Sequence, residues 1–205
     1  MTIITWLNAP AFELWGVPVS WAEALGDVTG AICVWLVARQ HVLNWPLGLA
    51  NNTFWCVLFA AAKLYADAVL QVLFFALGVY GWWMWSADRA RTASTLRVRR
   101  STPTEWAWLG ALTALATAAL ASWLALHTDS PAPLWDASVL TLSLAATYGQ
   151  AQKLLESWYV WILVDVISVP LYLSRQLYPT ALLYAIFGLI CLRGLAEWRH
   201  AESHA

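Results

Sequence analysis

Seven runs of about 20 mostly apolar residues, at 20–38, 44–61, 66–85, 106–126, 134–152, 157–174 and 178–197, limit what this chain can fold into. In hydrocarbon a segment of that length must satisfy its own backbone N–H and C=O groups, and a single isolated segment does so only as a helix. The sequence therefore predicts an all-α membrane protein of seven transmembrane helices. Composition agrees, with 61% hydrophobic residues, 11% charged residues and a mean hydropathy of +0.60, where a soluble domain carries about 25% charged residues. Sixteen tryptophans and seven tyrosines fit the same solvent, because amphipathic rings collect at membrane–water interfaces.

The connections orient the bundle. Arg89, Arg91, Arg97, Arg99 and Arg100 form the one basic cluster, between the third and fourth runs, and the positive-inside rule puts it in the cytoplasm. Arg39, Lys153, Arg193 and Arg199 then fall on the same side, and only Lys63 and Arg175 fall outside. The N-terminus is thus expected outside and the C-terminus inside. Met1 to Ser20 has no Lys or Arg to form the positive region of a cleavable signal. The stretch Ile3–Trp15, broken by Pro10 and carrying Glu13, is expected to lie on the membrane surface.

The chain also repeats itself. Shifting it by 113 positions matches Trp45 to Trp158, Leu58 to Leu171, Leu64 and Tyr65 to Leu177 and Tyr178, Ala68 to Ala181, Leu70 to Leu183, Phe74 to Phe187, Gly81 to Gly194 and Trp85 to Trp198. Backward extension pairs Glu23 with Asp136. The expected organisation is an interfacial segment over 1–19, a three-helix unit over 20–85, a basic cytoplasmic loop over 86–105, a linking helix and outer loop over 106–133, a second three-helix unit over 134–198 and a tail over 199–205. Two such units separated by one crossing share an orientation, a 3+1+3 arrangement of parallel repeats found in transporters, whose substrate sites lie near mid-membrane between the repeats.

That places attention on Asn52, beside Asn51 in the second run, and on its repeat partner Asp165 in the sixth. Polar and ionisable groups at such depth are expensive and face a cavity or a partner; the structural alternative is an interhelical hydrogen bond. Trp158, Trp161, Ser168 and Tyr172 share the helical face of Asp165, and Gly48, Trp55 and Phe59 share that of Asn52. Trp161 answers Gly48, and Trp55 answers Ser168, so each half offers one ring opposite one small residue, a geometry suited to a flat heteroaromatic ligand. Gln71 and its partner Tyr184, with Tyr80, Thr147, Tyr148 and Gln150, are further polar candidates. Trp45, Trp85, Trp158 and Trp198 fall at cytoplasmic helix ends and are expected as interfacial belt anchors. Glu23 and Asp136 lie at the outer mouth, where acids concentrate cations, with Asp27 one turn deeper. Gly26 and Gly30 form a G-x-x-x-G expected to allow close helix packing, and Pro170 is expected to kink the sixth helix.

Several classes are excluded. H-E-x-x-H, G-x-S-x-G, Walker A and G-x-G-x-x-G motifs are absent, so no enzyme is expected. Cys33, Cys56 and Cys191 lack metal or redox spacing and read as core residues. No cofactor, metal or nucleic-acid partner is expected.

Val34-Trp35-Leu36-Val37-Ala38, Asn44-Trp45-Pro46, Leu64-Tyr65-Ala66-Asp67 and Tyr80-Gly81-Trp82-Trp83, followed by Trp158-x-x-Trp161-x-x-x-Asp165, Leu171-Tyr172 and Leu183-Tyr184-x-x-Phe187, resemble the PnuC family of vitamin transporters. The resemblance implies import of nicotinamide riboside across the bacterial inner membrane by facilitated diffusion, with cytoplasmic phosphorylation trapping the product, in a homo-oligomer, often a trimer. Relatives carry thiamine, riboflavin or deoxynucleosides. The expected substrate-binding set is Asn51, Asn52, Trp55, Gln71, Thr147, Trp161, Asp165, Tyr172 and Tyr184, with the ring faces and Asp165 suited to the flat pyridinium and Asn52 and Gln71 to the ribose hydroxyls. Thr147, Gln152 and Ser157 depart from the family, where a Gln, an Arg and an Asn are commoner, and Thr147 bears on the identity of the vitamin. Alternatives are another vitamin such as thiamine on the same scaffold, proton-coupled symport prompted by Asp27, Asp67 and Asp165, and a non-transporting scaffold or accessory subunit.

Overall fold

The structure, a computed structural model, describes residues 3–14, 16–61, 65–91 and 97–203. Lys63 and Leu64 lie outside the described residues, as do the side chains of Tyr65, Asp67, Arg89 and Arg91. A short helix α1 (Ile3–Leu7) and an antiparallel hairpin, β1 (Pro10–Leu14) with β2 (Val17–Ser20), precede seven long helices: α2 (Trp21–Ala38), α3 (Asn44–Ala61), α4 (Tyr65–Arg91), α5 (Pro103–His127), α6 (Pro133–Ala151), α7 (Ser157–Ser174) and α8 (Tyr178–Ser203). The helix limits follow local chemistry. Ser20 with Glu23 and Thr102 with Glu105 form capping boxes at the starts of α2 and α5, and Pro103 and Pro133 occupy first turns. The hairpin is absent from the sequence expectation; its turn uses Gly16 at φ 79°, a conformation that costs glycine nothing.

Five helices, α2, α4, α5, α7 and α8, are long and apolar enough to cross a membrane. Helices α3 and α6 are as long but carry more polar residues, including Asn44, Asn51 and Asn52 in α3 and Thr141, Ser143 and Gln150 in α6. Helix contacts run α2 to α3 to α4 to α6 to α7 to α8 and back to α2, a closed ring of six. Helix α5 stands outside it against α6, with no buried residue of its own.

Contacts at one end of the ring recur at the 113-residue spacing. There the Trp85 indole N–H donates to Gln150 O and Ala151 O, each at 3.2 Å, and the Trp198 indole N–H donates to Val37 O and Ala38 O, also each at 3.2 Å. Trp45 meets Trp85 edge to face at 5.4 Å, and Trp158 meets Trp198 in the same way at the same distance. Gly81 and Gly194 are the notches that receive the Trp45 and Trp158 rings. These four tryptophans, 0 to 5% exposed, form a buried plug, which corrects their assignment as belt anchors. Hydropathy gives a residue's depth along a helix but not the side it faces, and these faces point inward.

The arginine-rich connection closes over the same end. Val98 joins the plug, Arg99 N–H donates to Lys153 O, and Leu155 N–H donates to Arg99 O. Arg99 pairs with Glu105 and Arg100 with Glu202, so part of the basic cluster is spent within the fold. Helix α4 runs to Arg91 and α5 begins at Pro103, which shortens the expected loop.

Because the notches hold rigid rings, Gly81→Ala and Gly194→Ala are each expected to destabilise the protein by about 1–3 kcal/mol through overpacking. Gly110→Ala, where a Cβ would meet nothing within 4 Å, is the control expected to hold or raise the melting temperature. Thermal unfolding of the purified protein in detergent checks all three.

Candidate functional site

Helix α7 presents Trp158, Trp161, Asp165, Ser168 and Tyr172 at alternating spacings of three and four, one stripe of a helix. Its chain continues helically through Pro170. Four buried side-chain atoms on this stripe have no hydrogen-bond partner: the indole nitrogens of Trp158 and Trp161, Asp165 Oδ2 and Ser168 Oγ. Asp165 is 4% exposed, and Ser168 is fully buried. Each such group forgoes about 1–3 kcal/mol of solvation, and native interiors hold few of them. The three on Trp161, Asp165 and Ser168 therefore point to a ligand, to which the stripe would offer two donors and a carboxylate, while the Trp158 ring is seated in the Gly194 notch.

The neighbours of the stripe come from α8. Asp165 lies 3.6–3.9 Å from the position a Cβ would take on Gly188, and the Cys191 thiol lies beside its carboxyl. The Tyr172 and Tyr184 rings meet at 5.2 Å, and Tyr184 meets Phe187 edge to face. Cys191 was not among the expected site residues, and its one sequence signal is the helical spacing that puts it a turn from Gly188.

On the opposing half, Trp55 stacks on Phe59 at 5.3 Å and lies over Gly26 of α2. Gly26 and Gly30 thus receive side chains, Trp55 and Phe187, where closely packed helix backbones were expected. Asn51 donates to Gly26 O at 3.2 Å and to Thr29 Oγ1 at 2.7 Å, tying α3 to α2. Asn52 and Gln71 are half-buried and make no side-chain hydrogen bond among the described residues. Asn52 and Asp165 make no hydrogen bond to each other, since the carboxyl turns to α8. Thr147 donates to Ser143 O of its own helix. Tyr80 stacks on Tyr148 and shares a hydrogen bond with Gln152, in the contact between α4 and α6.

The two mouth acids are engaged. Glu23 closes its capping box with Ser20. Asp136 accepts from Arg175 at 2.8 and 2.9 Å and from Ser130 at 2.6 Å. Asp27, half-buried, lies one turn deeper than Glu23.

The profile of the nicotinamide mononucleotide transporter family matches residues 20–200. The chain belongs to this family. It is 30% identical to the nicotinamide riboside transporter PnuC of Escherichia coli K12, over 89% of this chain and 87% of the relative. It is also 30% identical to the riboflavin/roseoflavin transporter RibM of Streptomyces davaonensis, over 95% and 92%. The fold resembles a crystal structure of the vitamin B3 transporter PnuC with a TM-score of 0.70 at 22% identity, over 90% of this chain and 83% of that one. This member of the nicotinamide mononucleotide transporter family is therefore a multi-pass transporter of the inner membrane and not an enzyme.

An atom without a partner can be removed at little cost. Ser168→Ala is expected to leave the melting temperature of the ligand-free transporter unchanged or higher. Thr141→Ala, which loses the 2.6 Å bond to Thr117 and the 2.8 Å bond to Ala137 O, is expected to lower stability by about 0.5–1.5 kcal/mol.

Proposed function

We propose that this transporter carries nicotinamide riboside into the bacterial cell by facilitated diffusion, and that phosphorylation by a cytoplasmic kinase traps the product. The observation that carries the reading is the α7 stripe, where an unpartnered carboxylate oxygen lies between indole N–H groups and a hydroxyl. A ribosylated pyridinium complements it: the cation meets Asp165, the flat ring meets Trp161 and Trp55, and the ribose hydroxyls meet Ser168, Asn52 and Gln71. A charge in a low-dielectric interior is costly unless paired, so a buried acid selects a cation over a neutral ligand. Tyr172 and Tyr184 form the outer wall of the site, and Asn51 and Thr147 support it through α2 and α6.

In this reading all seven long helices cross the membrane. Helices α3 and α6 rise about 27 Å at 1.5 Å per residue, and their polar side chains turn to protein neighbours. The N-terminus lies outside, the C-terminus and the plugged end lie inside, and the halves over 20–85 and 134–198 rock about the site as parallel repeats. Helix α5, which has no buried residue and packs mainly on α6, supplies the face for a homo-oligomer, a trimer in the first instance.

Riboflavin is the second reading, favoured by the 30% identity to RibM over 95% of the chain and by Thr147, where the family more often has an amide. Competition binding on purified protein separates them. Nicotinamide riboside is expected to displace a labelled vitamin in preference to riboflavin or thiamine. Asp165→Asn is expected to weaken the riboside by at least about tenfold, the scale of one charge-assisted contact, and Trp161→Ala to weaken it similarly, with melting temperatures preserved. Unchanged affinity in both variants would remove the site.

A further inference from the structure

The plug has one element at its centre that its tryptophans do not explain. Gln40 and Lys153 are the same position of the two repeats, 113 residues apart, and both follow a helix end in the left-handed backbone region, at φ 53° and 51°. Lys153 Nζ donates to Gln40 Oε1 at 3.0 Å and stands 4.6 Å over the Trp85 ring. Two equivalent positions can touch only on the pseudo-twofold axis that relates the halves. Trp85 and Trp198, also equivalent, meet there too, with ring centroids 6.4 Å apart. Lys153 is 2% exposed. A charge this deep is held only by partners, and among them are the opposite repeat's amide and a tryptophan face.

We propose that Lys153 and Gln40 form the latch of the inner barrier, a pair of controlling residues that decides whether the ring is open at the arginine-bearing end. The latch rests on the alternating-access reading of the transporter. While it is closed, a fixed positive charge lies across the axis inward of Asp165 and turns back a cation held there. Opening that end parts the Lys153 ammonium from both the Gln40 amide and the Trp85 ring, which belong to the opposite half. Symmetry breaking at this one position makes the contact attractive, because two lysines would repel across the axis and two glutamines would lack the cation–π contact.

The pseudo-symmetry supplies the test. Exchanging the residues, Gln40→Lys with Lys153→Gln, rotates the same pair by half a turn, so that the ammonium lies over Trp198, the repeat partner of Trp85. Cys191 is 2% exposed, belongs to the plug cluster and touches Asp165, so its labelling reports opening without any need for transport. The measurement is the labelling rate of Cys191 by a charged methanethiosulfonate applied to the cytoplasmic face of inside-out vesicles, in a Cys33→Ser, Cys56→Ser background. Gln40→Lys alone is expected to speed labelling by about tenfold or more through a shifted population, and the exchanged double variant is expected to return to within about twofold of the parent. Where Gln40→Lys does not accumulate, Lys153→Met with Gln40→Leu, an uncharged pair, is expected to label faster than the parent. Equal labelling in the single variant and the parent, or no rescue by the exchange, overturns the latch. Failure of vitamin binding with the labelling pattern intact would instead overturn the substrate reading alone.

Discussion

An α-helix leaves its last carbonyls without intrahelical partners, and in this chain two such helix ends are completed by the opposite half. Helix α2 ends at Ala38 and α6 at Ala151. Their terminal carbonyls receive the indole N–H groups of Trp198 and Trp85, carried on α8 and α4. The exchange is reciprocal, so neither half satisfies its own backbone at this end alone. In lipid the apolar faces of helices gain nothing by leaving one solvent for another of equal polarity, and association rests on packing and hydrogen bonds. The crossed indoles supply both, which explains why the ring closes through the α2 to α8 and α4 to α6 contacts. The Gly81 and Gly194 notches are a consequence, since a Cβ at either would displace the ring that positions the donating indole.

With the plugged end fixed in this way, the middle of the ring is where the halves diverge. Asn51 on α3 spends its amide on Gly26 O and Thr29 of α2, whereas its repeat partner on α7 is Val164, fully buried and apolar. One residue further on, Asn52 is answered by Asp165. Trp55, which fills the space over Gly26, is answered by Ser168, whose hydroxyl has no partner. At this level α3 is therefore filled by Trp55, while α7 holds the unpartnered Asp165 and Ser168 oxygens. A symmetric scaffold binding an asymmetric ligand needs such a division, because one half must supply packing and the other charge and donors.

The helices were legible in the sequence because the bilayer sets their length, whereas the chemistry of their ends, at Ser20, Pro103, Pro133 and the left-handed Gln40 and Lys153, is a finding of the structure. The repeat was legible through its largest and smallest residues, Trp45, Gly81 and Trp85 against Trp158, Gly194 and Trp198, and these are the groups that the end contacts require. Their role was not legible. A tryptophan near a membrane interface can face lipid or the interior at the same depth, and only the ring closure decides between them. The hairpin escaped notice because Pro10 opens β1, Pro18 lies within β2 and its apolar residues do not alternate cleanly. Asp165 stood out by its charge, but its partners on α8, Gly188 and Cys191, carry no polarity that would announce them.

The energies of the two regions are of comparable size, and that comparison bears on how such a ring can move. At the plugged end, two shared indole bonds and the Lys153 amide bond contribute about 0.5–1.5 kcal/mol each. The cation–π contact over Trp85 adds about 0.5–2 kcal/mol. Further along α7, the three unpartnered atoms on Trp161, Asp165 and Ser168 would each recover about 1–3 kcal/mol on meeting a ligand. Reversing a two-state equilibrium from one side to the other takes about 5.5 kcal/mol of differential binding. Bonds of this size would hold the end closed and still be outweighed by a ligand that met those atoms better in one arrangement of the halves than in the other. Helix α8 links the two regions directly, since Gly188 and Cys191 touch Asp165 one or two turns before Gly194 and Trp198 enter the plug. A ligand that pulls on Asp165 therefore acts on the same rigid element that completes the end of α2.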